Sequence, residues 1–148
     1  MNATDLKRKY GYYPIGQQLK KIQASDAEAN DYFGYSVAVS DTRIVVGTSY
    51  EDTGGTDAGS AYIFDIDGNQ LAKINASDAE GGDYFGWSVA VSGTRIVVGA
   101  YGEDTTDLDA GSAYIFSSGF SPFGDLCAYY DLGDPTVLDT NFSWSDYT

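Results

Sequence analysis

An internal duplication constrains this chain more than any other feature. DYFGYSVAVSDTRIVVG, starting at Asp31, returns as DYFGWSVAVSGTRIVVG at Asp83, and DAGSAYIF at Asp57 returns unchanged at Asp109. Both offsets are 52 residues, so no insertion separates the copies, and residues 19–64 differ from 71–116 at twelve of 46 positions. The copies run over 19–70 and 71–118, with a basic arm (1–18) before them and an aromatic, acidic segment (119–148) after them. A period near 50 residues marks an architecture in which one supersecondary unit stacks on the next.

Inside a copy the apolar residues alternate with period two. SVAVS, RIVVG and SAYIF are short, β-branched or aromatic, and bounded by Gly, Asp, Ser and Thr, which is the signature of strands. Ser40-Asp41-Thr42 and Ser92-Gly93-Thr94 fit tight hairpin turns, and Asp67-Gly68 predicts a primed turn leading into a fourth strand over 70–74. The expected fold is therefore all-β, with two four-stranded antiparallel, propeller-like blades and an irregular C-terminal extension. The period-two placement predicts burial of Val37, Val39, Ile44, Val46, Tyr62 and Phe64, with Val89, Val91, Ile96, Val98, Tyr114 and Phe116. Alternation leaves the choice of face open, since a blade between neighbours is buried on both. A meander of this size cannot bury both faces alone, so blades of this kind share their cores with neighbours.

Composition narrows the function. The chain has no histidine, which removes Ser-His-Asp and Cys-His catalysis and histidine-bound metals together. A net charge of −14 is the wrong sign for a nucleic-acid footprint. No stretch reaches the 18 or so apolar residues of a membrane span, and no secretory leader is expected from the charged start. The single Cys127 supports no disulfide framework.

The carboxylates come in duplicated sets. Asp26, Glu28 and Asp31 recur as Asp78, Glu80 and Asp83; Glu51, Asp52 and Asp57 recur as Glu103, Asp104 and Asp109. Solvated turn-capping acids are the first expectation, and a weak calcium site using Asp26, Glu28 and Asp31, or Asp78, Glu80 and Asp83, is the second. Paired acids could serve glycoside hydrolysis, but duplication on equivalent loops speaks for repeat architecture rather than a unique active site.

Phe85-Gly86-Trp87-Ser88-Val89-Ala90 followed by Val97-Val98-Gly99-Ala100-Tyr101, with Phe33-Gly34 and Val45-Val46-Gly47-Thr48 in the first copy, resembles the FG-GAP repeat of integrin α-chain propellers. It is more similar still to bacterial and phage tandem-repeat members. The resemblance implies a propeller used for adhesion and protein binding, in a family where catalysis is uncommon; no cofactor is expected, calcium aside. It also implies a calcium loop between the inner strands, but that place holds only Asp41-Thr42 or Gly93-Thr94, too short for a cation needing six to eight oxygens. No metal is therefore expected there.

The ends suggest assembly. Leu19-Lys20-Lys21-Ile22 aligns with Leu71-Ala72-Lys73-Ile74, an outer strand with no blade before it, whereas the second copy lacks a recognisable outer strand. A homo-oligomer is expected in which the strand around Leu19 and Ile22 completes a neighbour's second blade, with three chains making six blades favoured over four making eight. Lys7, Arg8, Lys9, Tyr12 and Tyr13 of the arm, and Phe120, Tyr129, Tyr130 and Trp144 of the tail, are the further interface candidates. The functional expectation is a non-enzymatic structural and adhesive protein, a phage virion component such as a capsid decoration or tail-associated protein. A cell-surface adhesin is the alternative, and a carbohydrate-acting enzyme a more distant one.

Overall fold

The computed structural model describes residues 15–119 apart from 106, 108 and 109. These form seven strands and no helix: β1 (Ser36–Val39), β2 (Arg43–Thr48), β3 (Ser60–Asp65), β4 (Gln70–Ile74), β5 (Ser88–Ser92), β6 (Arg95–Ala100) and β7 (Ser112–Ser117). They make two antiparallel meanders, β1-β2-β3-β4 and β5-β6-β7. The registers repeat at the 52-residue offset: Val37 faces Val46 as Val89 faces Val98, and Val46 faces Tyr62 as Val98 faces Tyr114.

The inner hairpins close through Asp41-Thr42 and Gly93-Thr94, as their sequences predict. The β3–β4 hairpin differs from expectation. Gly68 alone has positive φ (76°), and its N–H donates to the Asp65 carbonyl, so the loop is three residues with glycine in the left-handed position rather than a primed two-residue turn. Asp65 supplies the difference: its carboxylate accepts from the Asn69 backbone N–H (2.7 Å) and side-chain amide (2.8 Å), locking the longer loop.

Each blade has a front face, carrying Ile44, Val46, Tyr62 and Phe64 or their counterparts, and a back face, carrying Val45, Ala61 and Ile63 or theirs. The larger core lies between the blades, where the back of the first (Val45, Ala61, Ile63, with Ala72 and Ile74) meets the front of the second (Ile96, Val98, with Val89, Val91, Tyr114 and Phe116) around Phe85. A smaller core covers part of the first blade's front: Ala24, Val46, Tyr62 and Phe64, with Ile22, Phe33 and Ile44.

This arrangement corrects the predicted buried set. Val37 and Val39 are 68% and 67% exposed, although their counterparts Val89 and Val91 are half-buried. The residues are the same and only the surroundings differ. A preceding back face covers Val89 and Val91, and no described element covers Val37 and Val39. Ile44 is half-buried for the same reason, while Val46, Tyr62 and Phe64 are buried as predicted.

Candidate binding surface

The Phe-Gly turn organises one end of both blades. The Tyr35 N–H donates to the Tyr32 carbonyl and the Trp87 N–H to that of Tyr84. Gly34 and Gly86 sit at φ 95° and 91°, the glycine position of a type II turn. Tyr32 and Tyr84 are themselves left-handed, at φ 54° and 56°. Non-glycine residues adopt that conformation at a cost of about 1–3 kcal/mol, and it persists where the surroundings dictate it. Here the second turn is tied to the first blade by main-chain bonds, Tyr84 N–H to the Asp57 carbonyl (3.1 Å) and Phe85 N–H to the Ala58 carbonyl (2.8 Å).

These turns set six rings in contact across both repeats. Tyr32 meets Tyr50 edge-on at 5.1 Å between centroids, Tyr50 meets Tyr84 at 5.4 Å, and Tyr84 stacks on Tyr101 at 5.0 Å. Tyr35 and Tyr101 both contact Trp87, at 4.6 and 4.5 Å. Tyr32, Tyr35, Trp87 and Tyr101 are exposed. A ring of this kind is rigid, apolar over its body and polar at its tip, which suits burial against a protein partner. Sequence reasoning missed this surface. Its signal was Tyr35 becoming Trp87 within otherwise repeated text: two aromatics of different shape at one position.

The duplicated carboxylates do different work. Lys73 on β4 reaches Asp26 (2.8 Å), Glu51 (2.9 Å) and the Thr53 hydroxyl (2.7 Å), while the Tyr62 hydroxyl donates to Asp26. Glu51 accepts from the hydroxyls of Ser60 and Thr53. The Lys73 ammonium holds Asp26 below the usual carboxylate range. Burial pushes Glu51 up, but the bonds from Ser60, Thr53 and Lys73 outweigh it and bring it below the usual range too. Burial alone would lower Lys73, yet its partners hold it above an ordinary lysine. In the second copy Tyr114 donates to Asp78 (2.8 Å) and Ser112 to Glu103 (2.6 Å), with no lysine or arginine in reach among the described residues.

Asp31 and Asp83 cap their own turns, accepting from the backbone N–H groups of Glu28 (2.6 Å) and Glu80 (2.7 Å). Asp26, Glu28, Asp52, Asp78, Glu80 and Asp104 are exposed and Asp31 and Asp83 cap turns as expected, but Asp31, Glu51, Asp83 and Glu103 are buried rather than solvated, each taken up by main-chain or hydroxyl donors. Among the described residues no three carboxylates converge as metal ligands.

Of the interface candidates, Ile22 is half-buried on its own first blade and Leu19 is exposed. Residues 19–22 belong to no strand, and Lys20 donates to the Asp67 carbonyl and the Asn69 side chain at the β3–β4 hairpin. Lys7, Arg8, Lys9, Tyr12, Tyr13, Phe120, Tyr129, Tyr130 and Trp144 lie outside the described residues.

No curated protein matches the chain significantly. Among solved structures, the crystal structure of the computationally designed Ika4 protein aligns at 17% identity and a TM-score of 0.44, over 71% of this chain. The alignment takes in 50% of that protein, so the chain spans about half its length. The family model for the FG-GAP repeat matches twice in tandem, over residues 17–64 and 69–116. Those matches take in both blades and well over half of the sequence, and the chain belongs to the FG-GAP repeat family.

Proposed function

We propose that this chain is a non-enzymatic structural and adhesive module of a larger assembly, working in several copies (three by preference) as a phage virion component. The carrying observation is the exposed aromatic cluster of Tyr32, Tyr35, Trp87 and Tyr101, held in place from beneath by main-chain bonds rather than by flexible loops alone. Buried aromatic anchors dominate the energetics of protein contacts. Of the duplicated acids, Asp26, Asp31, Glu51, Asp52, Asp78, Asp83 and Glu103 accept structural hydrogen bonds, which leaves them poorly suited to proton transfer, and neither a metal nor a cofactor is part of the proposal.

The test is to purify particles by density gradient from cells producing the wild-type chain or a Tyr35→Ala, Trp87→Ala variant. The wild type should band with the particles, and the variant should stay folded but fall into the soluble fraction. A wild-type chain found at the cell surface would favour the adhesin instead. Wild type and variant banding alike would remove the aromatic cluster from the contact.

A further inference from the structure

Four observations in different parts of the molecule lead to one contact. The first is a pair of uncovered faces. At the junction inside the chain, Val45 is 0%, Ala61 0% and Ile63 5% exposed on the first blade's back face. Their counterparts on the second blade, Val97 and Ile115, are 37% and 71% exposed, and Ala113 is exposed too. On the other flank Val37 and Val39 stand exposed where Val89 and Val91 are half-buried. The two open faces are thus the two halves of a contact the molecule already makes once.

The second is an open seat. Phe85-Gly86 rests on Gly47, Ala58, Gly59 and Ser60 of the first blade, so closely that a Cβ at Gly47 or Gly59 would strike its backbone. The corresponding residues of the second blade, Gly99, Ala110, Gly111 and Ser112, line a shallow depression with Trp87 and Tyr101. The group shaped for it is another Phe-Gly turn. Gly34 has nothing within contact distance of where a Cβ would sit, so that turn is open on the side where Gly86 meets its seat.

The third is an orphan strand. Every residue of the smaller core has its 52-residue counterpart in the larger one: Ile22 corresponds to Ile74, Ala24 to Ala76, Phe33 to Phe85. Residues 19–22 therefore lie on the first blade's front as β4 lies on the second's. They hold the place of an outer strand whose sheet must come from elsewhere.

The fourth is charge. Lys21 is the counterpart of Lys73, is exposed, and has no ion-pair partner among the described residues. Lys73 binds Asp26 and Glu51 beside Tyr62, whose counterparts Asp78, Glu103 and Tyr114 have no cation among the described residues. Residues 119–148 contain no lysine or arginine to supply one.

We infer that copies of this chain join head to tail, the front of one first blade stacking on the back of a neighbour's second blade. Deepening the multi-copy part of the function proposed above, residues 19–22 extend the neighbour's sheet beside β7 and Lys21 enters the Asp78–Glu103–Tyr114 cluster. Phe33-Gly34 takes the seat lined by Gly99 and Gly111. Main-chain pairing along the Ala113–Phe116 stretch of β7, which has no outer strand among the described residues, and stacking of apolar faces supply the affinity. The contact uses two different surfaces, so it propagates from chain to chain, ending in a ring where its rotation closes and in a filament where it does not; propeller-like stacking of blades favours the ring.

The test mixes two full-length variants. Val37→Asp with Val39→Asp disables the front and Ile115→Asp disables the back; all three sites are exposed in the single chain, so its fold should survive, as a β-type far-ultraviolet spectrum would verify. Each variant alone should associate roughly a hundredfold more weakly or worse, because the contact would bury an unpaired charge. A 1:1 mixture has one intact front and one intact back, and should form a dimer and nothing larger. Lys21→Glu is an independent front-side probe and should give the same dimer with the back variant. Wild-type oligomers that persist in the single variants would overturn this contact while leaving multi-copy function standing. A wild-type chain that stays monomeric would overturn both. A mixture that stays monomeric would exclude head-to-tail geometry.

Discussion

Lys73 and Lys21 occupy one position of the repeat in two surroundings, and the difference gives the network its meaning. Lys73 neutralises two carboxylates at a site where its own side chain is 19% exposed and that of Glu51 10%. Removing one partner of such a group leaves the others desolvated and unpaired. Lys73→Met should therefore destabilise the protein by about 1–3 kcal/mol, read from denaturant unfolding, the lower end reflecting solvent near Asp26. The pH dependence follows in sign. Asp26 and Glu51 sit below their ordinary values of 3.8 and 4.5, so their stabilisation is complete above those values and is lost as pH falls through the folded ones. Lys73 sits above its ordinary 10.5, so its share is complete below that and is lost only at higher pH. Melting temperatures should fall on acidification below about pH 4, and the fall should be shallower in Lys73→Met. An identical acid limb in both proteins would show that the network does not couple to folding.

At the scale of elements, the duplicated strands form a controlled comparison. Phe85 and Phe33 share a sequence context, but Phe85 is enclosed between two blades and Phe33 is covered on one side only. Phe85→Ala should cost about 3–5 kcal/mol, as for a fully buried aromatic. Phe33→Ala should cost about 1–2 kcal/mol in the isolated chain, since less area returns to water. Equal costs in dilute monomer would contradict the different packing. Most of the strand plan was legible in the text, because period-two alternation and turn residues are local signals. Which face is buried was not: Val37 and Val89 have identical neighbours in sequence, and only the presence of a blade in front separates them. The hairpin at Asp67-Gly68 was misread for a related reason, since the dipeptide permits a primed turn and the Asp65 carboxylate selects another.

For the whole molecule, the repeat revealed the architecture, and the family match confirms it. The carboxylates were visible as pairs but not as buried acceptors, because burial of Glu51 and Glu103 depends on hydroxyls nine residues away across a hairpin. The aromatic surface joins residues from both copies and exists only once they are stacked. Among the described residues the same stacking leaves one complementary face exposed at each flank, and the self-association proposed above rests on that geometry. The most direct measurement is the native mass of the full-length protein at micromolar concentration, by native mass spectrometry or light scattering. Head-to-tail closure predicts a discrete particle of several chains, three being favoured, at three times the 15.9 kDa chain mass. A single species at 15.9 kDa would contradict it.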